Sequence, residues 1–188
     1  MGTKLAAILS TPEFAEAELA AMRLDGEVFR VDQCASPIDE VSSPALRAAA
    51  LALHLPARLI VEQRSAAWVW GAIATPPIRH EVCADIGART RPPEWRRLAI
   101  REVVIGADDV IELDGLKVTN PMRTATDIVR FSTDFGPGDA DIVDTLMRDW
   151  GFGVHDCQAS LSTRKNLPNR HIAMTRLRQL AENSASRS

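Results

Sequence analysis

Asp109-Val110-Ile111-Glu112-Leu113-Asp114-Gly115-Leu116-Lys117-Val118-Thr119-Asn120-Pro121-Met122-Arg123-Thr124-Ala125-Thr126-Asp127-Ile128-Val129 changes its periodicity halfway along. Val110 to Leu113 and Leu116 to Thr119 are short β-prone runs. Asp114-Gly115 between them is the dipeptide that a two-residue hairpin turn favours. Asn120-Pro121 then opens a helix, with Asn as cap and Pro in the first turn. That helix should run to about Phe131. A hairpin that feeds a helix predicts an α+β fold.

The chain on either side agrees. Upstream, Arg58 to Val61 reads as a short strand. Glu62-Gln63-Arg64-Ser65-Ala66-Ala67-Trp68-Val69-Trp70-Gly71 contains a short helix, from Arg64 to Trp70, stopped by Gly71. Ser43 and Pro44 start a helix that should reach Leu53. Ile78 to Cys83 and Leu98 to Ile105 are further strand candidates, and Gly87 to Arg97 is an Arg- and Pro-rich loop. Downstream, helices are expected over Asp139 to Trp150, His155 to Ser162 and Asn169 to Ala181. At the N-terminus, Pro12 to Asp25 reads as a helix ended by Gly26, and Glu27 to Asp32 as an alternating strand. Ser36 to Glu40 reads as a loop. Helix, glycine, strand and turn match the end of a winged-helix layout.

The chain has 188 residues, 46% of them apolar, enough for one compact core. No apolar run approaches a bilayer span, and Leu5 to Leu9 is too short for a secretory segment, so a cytoplasmic location is expected. The cysteines, Cys34, Cys83 and Cys157, form no CxxC pair, which argues against a disulfide framework or a zinc site. Net charge is −3, unevenly spread: residues 1–57 carry four basic groups against eight acidic, residues 158–188 six against one. A basic end suits a phosphate backbone or an acidic partner, and equally a solvated helix.

Little in the chain resembles catalysis. His54, His80, His155 and His171 show no metal-site spacing, and no phosphate loop or nucleophile elbow occurs. Asp109, Glu112, Asp114 and Lys117 superficially suggest a metal-dependent nuclease. Asp114 and Lys117 are separated by a turn glycine at odd spacing, so a solvated hairpin is the better reading. Arg123 and Asp127 are one helical turn apart and can pair. Arg123 then acts as a fold clasp or as part of a partner surface, the clasp being preferred. Of Trp68 and Trp70, one fills the core and the other is a candidate surface anchor. Trp95, beside Arg96 and Arg97, reads first as a plug that pins its loop. Stacking on a base or docking on a protein is the alternative.

Two of these segments together carry a family pattern. Gln63-Arg64-Ser65-Ala66-Ala67-Trp68-Val69-Trp70-Gly71 resembles a segment of AbiEi-type antitoxins, the antitoxin halves of type IV abortive-infection toxin–antitoxin systems. Asp109-Val110, Gly115 to Thr119 and Pro121-Met122-Arg123-Thr124-Ala125-Thr126-Asp127 are similar to a second segment of that family. The resemblance implies a winged-helix N-terminal domain that represses its own operon by binding promoter DNA. It also implies a C-terminal domain that neutralises a nucleotidyltransferase toxin. No cofactor, metal or catalytic residue is implied. The expected organisation is a shortened winged-helix-like module at 1–41, an antitoxin domain at 42–181 and a disordered tail at 182–188. The N-terminal helix departs from the pattern, because Glu13, Glu16, Glu18 and Asp25 outweigh Arg23 and would repel phosphates in a DNA groove.

The expected family core is Arg64, Ser65, Ala66, Trp70, Gly71, Gly115, Pro121, Arg123, Thr124 and Asp127, mostly structural in role. Candidate nucleic-acid or partner contacts are Arg89, Arg91, Trp95, Arg96 and Arg97 in the loop, and Arg164, Lys165, Arg170, Arg176 and Arg178 near the C-terminus. The alternatives to an antitoxin are a stand-alone DNA-binding regulator and, behind it, a metal-dependent nuclease.

Overall fold

The computed structural model describes residues 7–11, 13–86, 98–164 and 167–185. The fold is α+β. Helix α1 (Glu16–Leu24) leads into the antiparallel hairpin of β1 (Val28–Val31) and β2 (Cys34–Pro37). Leu9 pairs through both backbone groups with Ala35, so the first described residues lie along β2. Leu9, Val28 and Ala35 form a small core, covered by Phe14, Leu19 and Met22.

Then follow α2 (Pro44–Ala52), β3 (Ile60–Val61), α3 (Gln63–Val69), β4 (His80–Asp85) and β5 (Leu98–Val103). A 3-10 turn, Ala107–Asp109, precedes β6 (Val110–Leu113) and β7 (Leu116–Thr119). Helices α4 (Pro121–Phe131), α5 (Pro137–Trp150), α6 (Val154–Thr163) and α7 (Arg170–Ala185) complete the order. The five-stranded sheet runs β5-β4-β3-β7-β6. It is mixed: β3 pairs antiparallel with β4 and parallel with β7. α4 is buried along almost its whole length between α3 and helices α5, α6 and α7. That position makes it the central element of the domain.

The β6–β7 hairpin closes as the sequence predicts. Asp114 has φ 47° and Gly115 φ 78°, the positive pair a type I′ turn requires. Ser43 and Asn120 cap α2 and α4 by accepting backbone N–H bonds from Leu46 and Arg123. Most boundaries shift by one or two residues, as β4 (His80–Asp85) and β5 (ending at Val103) do, and three differences are informative. α1 begins at Glu16 rather than Pro12, a residue outside the described set. Ser36 and Pro37 belong to β2 rather than to a loop. Pro37 stands at the strand end opposite Val28, and Ile38 N–H resumes pairing with the Glu27 carbonyl at 2.9 Å, so the missing proline donor interrupts little. α7 continues to Ala185, so residues 182–185 are helical where a disordered tail was expected.

The N-terminal hairpin is not detached. Val31 and Cys34 belong to the same core as α2, α3, the sheet and the C-terminal helices. Among the described residues, no helix is long and apolar enough to cross a membrane.

Candidate functional site

The first motif is built on α3. Ser65, Ala66, Ala67, Trp68, Val69 and Trp70 are all buried. Ser65 Oγ accepts the Glu81 N–H at 2.9 Å and lies 3.2 Å from His80 Nδ1. His80 Nε2 lies 3.3 Å from Asp32 Oδ1. This Ser–His–Asp line is enclosed, so it works as an internal link between the N-terminal hairpin and the sheet. The Arg64 backbone N–H bonds Glu81 Oε2 at 2.7 Å, and its guanidinium pairs with Asp139 of α5. Ser132 also donates to Asp139, at 2.7 Å.

Trp70 is not a surface anchor. Its Nε1–H donates to the Thr119 carbonyl at 2.7 Å, which fixes α3 to the end of β7. Both tryptophans of the motif are buried, because the indole N–H of Trp70 has an acceptor inside the core. Trp150, at the end of α5, is partly exposed and packs edge-on against Trp70 with centroids 4.9 Å apart. Gly71 has φ +89°, and a Cβ added there would stand 3.1 Å from Arg47 Nη1. Arg47 in turn donates to the Trp68 carbonyl at 2.9 Å, tying α2 to α3.

The second motif supplies the clasp. Arg123 Nε bonds Asp127 Oδ2 at 2.8 Å and its Nη1 bonds Asp109 Oδ2 at 2.8 Å. Pro121, Thr124 and Asp127 are buried with it. Thr124 Oγ1 contacts Thr119 Oγ1 at 2.7 Å and sits 2.9 Å from the Asn120 carbonyl, so the β7–α4 junction is closed. The pair is one part of a longer chain of charges. Arg130 Nη1 bonds Asp127 Oδ1 at 2.7 Å. Arg101 holds the fully buried Glu62 with two bonds, at 2.7 and 2.6 Å, and approaches Asp127 at 3.7 Å. Arg164 closes the far end on Asp109 Oδ1. Burial alone would raise the Asp109 carboxyl, but the Arg164 bond and the Arg123 charge hold it below its ordinary value. Burial pushes Arg130 down, and the charges of Arg123 and Arg101 act in the same direction against Asp127.

The solvated-hairpin reading holds for part of the acidic set. Glu112 and Lys117 face each other across β6 and β7, both exposed, and Asp114 is in the turn. Asp109 departs from that reading, being buried in the clasp. The sequence did not single out Glu62, Arg101, Arg130 or Asp139. Glu62 and Arg101 are 39 residues apart and Arg64 and Asp139 are 75 apart, so no local spacing pairs them, whereas Arg130 lies three residues from Asp127 on α4 and the i,i+3 spacing could have found it. A lone Arg in the apolar strand Leu98–Val103 was the available hint.

Among the basic contact candidates, Arg170 and Arg178 are exposed on α7. Arg176 is partly covered: it donates to the Val129 carbonyl at 2.8 Å and stacks over Phe135. Arg164 is engaged with Asp109. Arg89, Arg91, Trp95, Arg96, Arg97 and Lys165 lie outside the described residues. Cys34, Cys83 and Cys157 are free and buried; burial pushes Cys34 up to about 11 and Cys157 up to about 12. Among the described residues, no group of three or more His, Cys, Asp or Glu side chains is arranged to hold a metal ion.

Compared with known proteins, the chain matches the family profile of the AbiEi antitoxin C-terminal domain over residues 57–183. No curated protein matches it in sequence. A solved structure, the RV2827C protein from Mycobacterium tuberculosis, is similar with a TM-score of 0.50 at 18% identity, covering 94% of this chain and 72% of the other. That likeness is one of fold.

Proposed function

The chain belongs to the AbiEi antitoxin family, and on that basis we propose that it binds and neutralises a nucleotidyltransferase-type toxin by direct contact in the cytoplasm. The carrying observation is the family match over residues 57–183, which includes both motif segments. Those motif residues are largely buried, so their role in this reading is to hold the domain in shape. Contact falls to the outer faces. The exposed side of α7 offers Arg170 and Arg178, two basic groups on neighbouring helix rows. The antitoxin region in this proposal is residues 42–181.

Co-expression with the adjacent open reading frame tests the proposal. Growth rescue from a toxic neighbour is expected. Arg170→Glu combined with Arg178→Glu should abolish rescue while leaving the melting temperature unchanged. A toxic neighbour that the wild-type chain fails to relieve would defeat the antitoxin reading for that pair.

Repression of its own operon is the second part of the proposal, through the α1–hairpin module acting as a shortened winged helix. One observation favours a different balance: α1 carries Glu16 and Glu18 in its first turn against Arg23 in its last. DNA contact, if α7 provides it, should weaken steeply between low and physiological salt, because phosphate binding releases counterions. A titration on the promoter at two salt concentrations reads this directly. Weak binding with almost no salt dependence would remove both operon repression and the stand-alone regulator alternative.

A further inference from the structure

Among the described residues, the clasp has an open side. A cavity of about 1060 Å³ lies against it, between β5, the turn before β6, α4 and the segment leading to α7. Arg101, Arg123, Arg130 and Arg164 all line this space, whereas Glu62 and Asp127 stand behind them and do not. Asp109 is the one carboxylate of the clasp that reaches the wall, and it is shared by Arg123 and Arg164. Four guanidinium groups are thus held by three carboxylates, Glu62, Asp127 and Asp109. Each guanidinium carries five N–H donors in a planar fork, more than its carboxylate bonds use.

Among the described residues, the remaining charges at the rim are Glu102 and Asp108. Both are exposed, so water and salt screen them more than the buried arginines behind. Arg123 and Arg130 have side chains only 4% and 3% exposed, so an anion reaching them would meet forks already fixed in place. Burial and two neighbouring arginines oppose the charged form of Arg130. A second negative group in the cavity would relieve that crowding. Phe131 is not free to stack on a ligand ring: Arg101 and Arg130 lie over it at 3.8 and 4.4 Å from its centroid. Ile86, Val103 and Leu167 supply apolar wall instead.

We propose that this arginine-lined cavity is a binding site for a phosphate group, presented either as inorganic phosphate or as the end of a phosphomonoester with an apolar body. A doubly charged tetrahedral anion suits several converging guanidinium forks better than a single carboxylate does. The cavity is larger than one phosphate needs and falls in the size range of small-molecule sites. This site does not depend on the antitoxin reading.

Isothermal titration of the full chain with inorganic phosphate, and separately with phenyl phosphate, tests it against sodium chloride of matched ionic strength. Saturable binding of one molecule is expected. Binding of both compounds assigns the phosphate alone, and binding of phenyl phosphate only assigns the ester. Arg164→Gln, at the more exposed end of the clasp, should weaken binding by about tenfold or more, the scale of one charge-assisted contact. Val103→Trp narrows the cavity without removing any charge and should also weaken binding. Arg148→Gln, on the exposed face of α5 and away from the cavity, should leave it unchanged. The proposal is overturned if neither compound binds better than chloride, or if both Arg164→Gln and Val103→Trp fold and bind as the wild type does.

Discussion

Arg123 shows how a residue with no catalytic partner can still govern a domain. Its side chain is 4% exposed and bonds two carboxylates, so removing it leaves Asp109 and Asp127 buried with one partner fewer each. Arg123→Ala is expected to cost about 3–5 kcal/mol, the range for breaking a buried ion pair from one side. Urea unfolding measures this. A midpoint equal to the wild type, together with lost toxin binding, would mean that Arg123 is a contact residue and not a clasp. Asp109 adds a pH signature. Its folded pKa lies below the ordinary 3.8, so its stabilisation is complete above that value and is lost as pH falls through the lowered one. Asp109→Asn should therefore cost most near neutral pH and progressively less as pH falls through the lowered value, where the wild-type carboxyl becomes protonated as well. Glu81 has the opposite sign: burial, with the charge of Glu62, raises it above 4.5, so whatever it contributes fades as pH rises through the raised value. The Asp109→Asn comparison removes this background, which both proteins share.

At the scale of elements, the two motif segments meet at one seam. Trp70 at the end of α3 donates to the carbonyl of Thr119 at the end of β7, and Thr124 on the first turn of α4 closes the same junction. Trp70→Phe keeps most of the ring but removes the donor, leaving the Thr119 carbonyl with one bond fewer. A loss of about 1–3 kcal/mol is expected, the desolvation cost of a buried polar group. Thermal melts of Trp70→Phe and of Thr124→Val check whether both act on the seam. The cost of the double variant should then differ from the sum of the singles, because neighbours that share a partner couple. Additive losses would mean that the two contacts are independent. α3 and α4 also carry the charge chain, since Glu62 immediately precedes α3 and Asp127 lies within α4. Arg101 of β5 bridges them.

At the scale of the whole molecule, the N-terminal hairpin is part of the larger body. Val31 and Cys34 share its core, and Asp32 meets His80 of β4. A chain starting at residue 42 is expected to melt below the full chain, because this apolar surface would be uncovered and His80 would lose its partner. Equal melting temperatures would show that the hairpin rests on the domain without supporting it. The same coupling gives the antitoxin reading a clear experimental order: truncations report on folding and recognition together, whereas charge changes on α7 report on recognition alone.

The local elements were legible in the sequence, because short-range rules decide them. The Asp114-Gly115 turn, the Asn120-Pro121 helix start and the Ser43-Pro44 cap all follow from backbone sterics and hydrogen bonding within a few residues. The α+β class and the pairing of Arg123 with Asp127 were readable for the same reason. What required the folded chain was every partnership across distance. Glu62 meets Arg101 over 39 residues and Arg64 meets Asp139 over 75, which no periodicity encodes. The fate of Trp70 also waited on tertiary structure, since an indole is buried or exposed according to whether an acceptor such as the Thr119 carbonyl stands within reach. Local geometry is set by each residue and its neighbours along the chain. A buried charge survives only where the fold brings it a partner, and that is decided by packing in three dimensions.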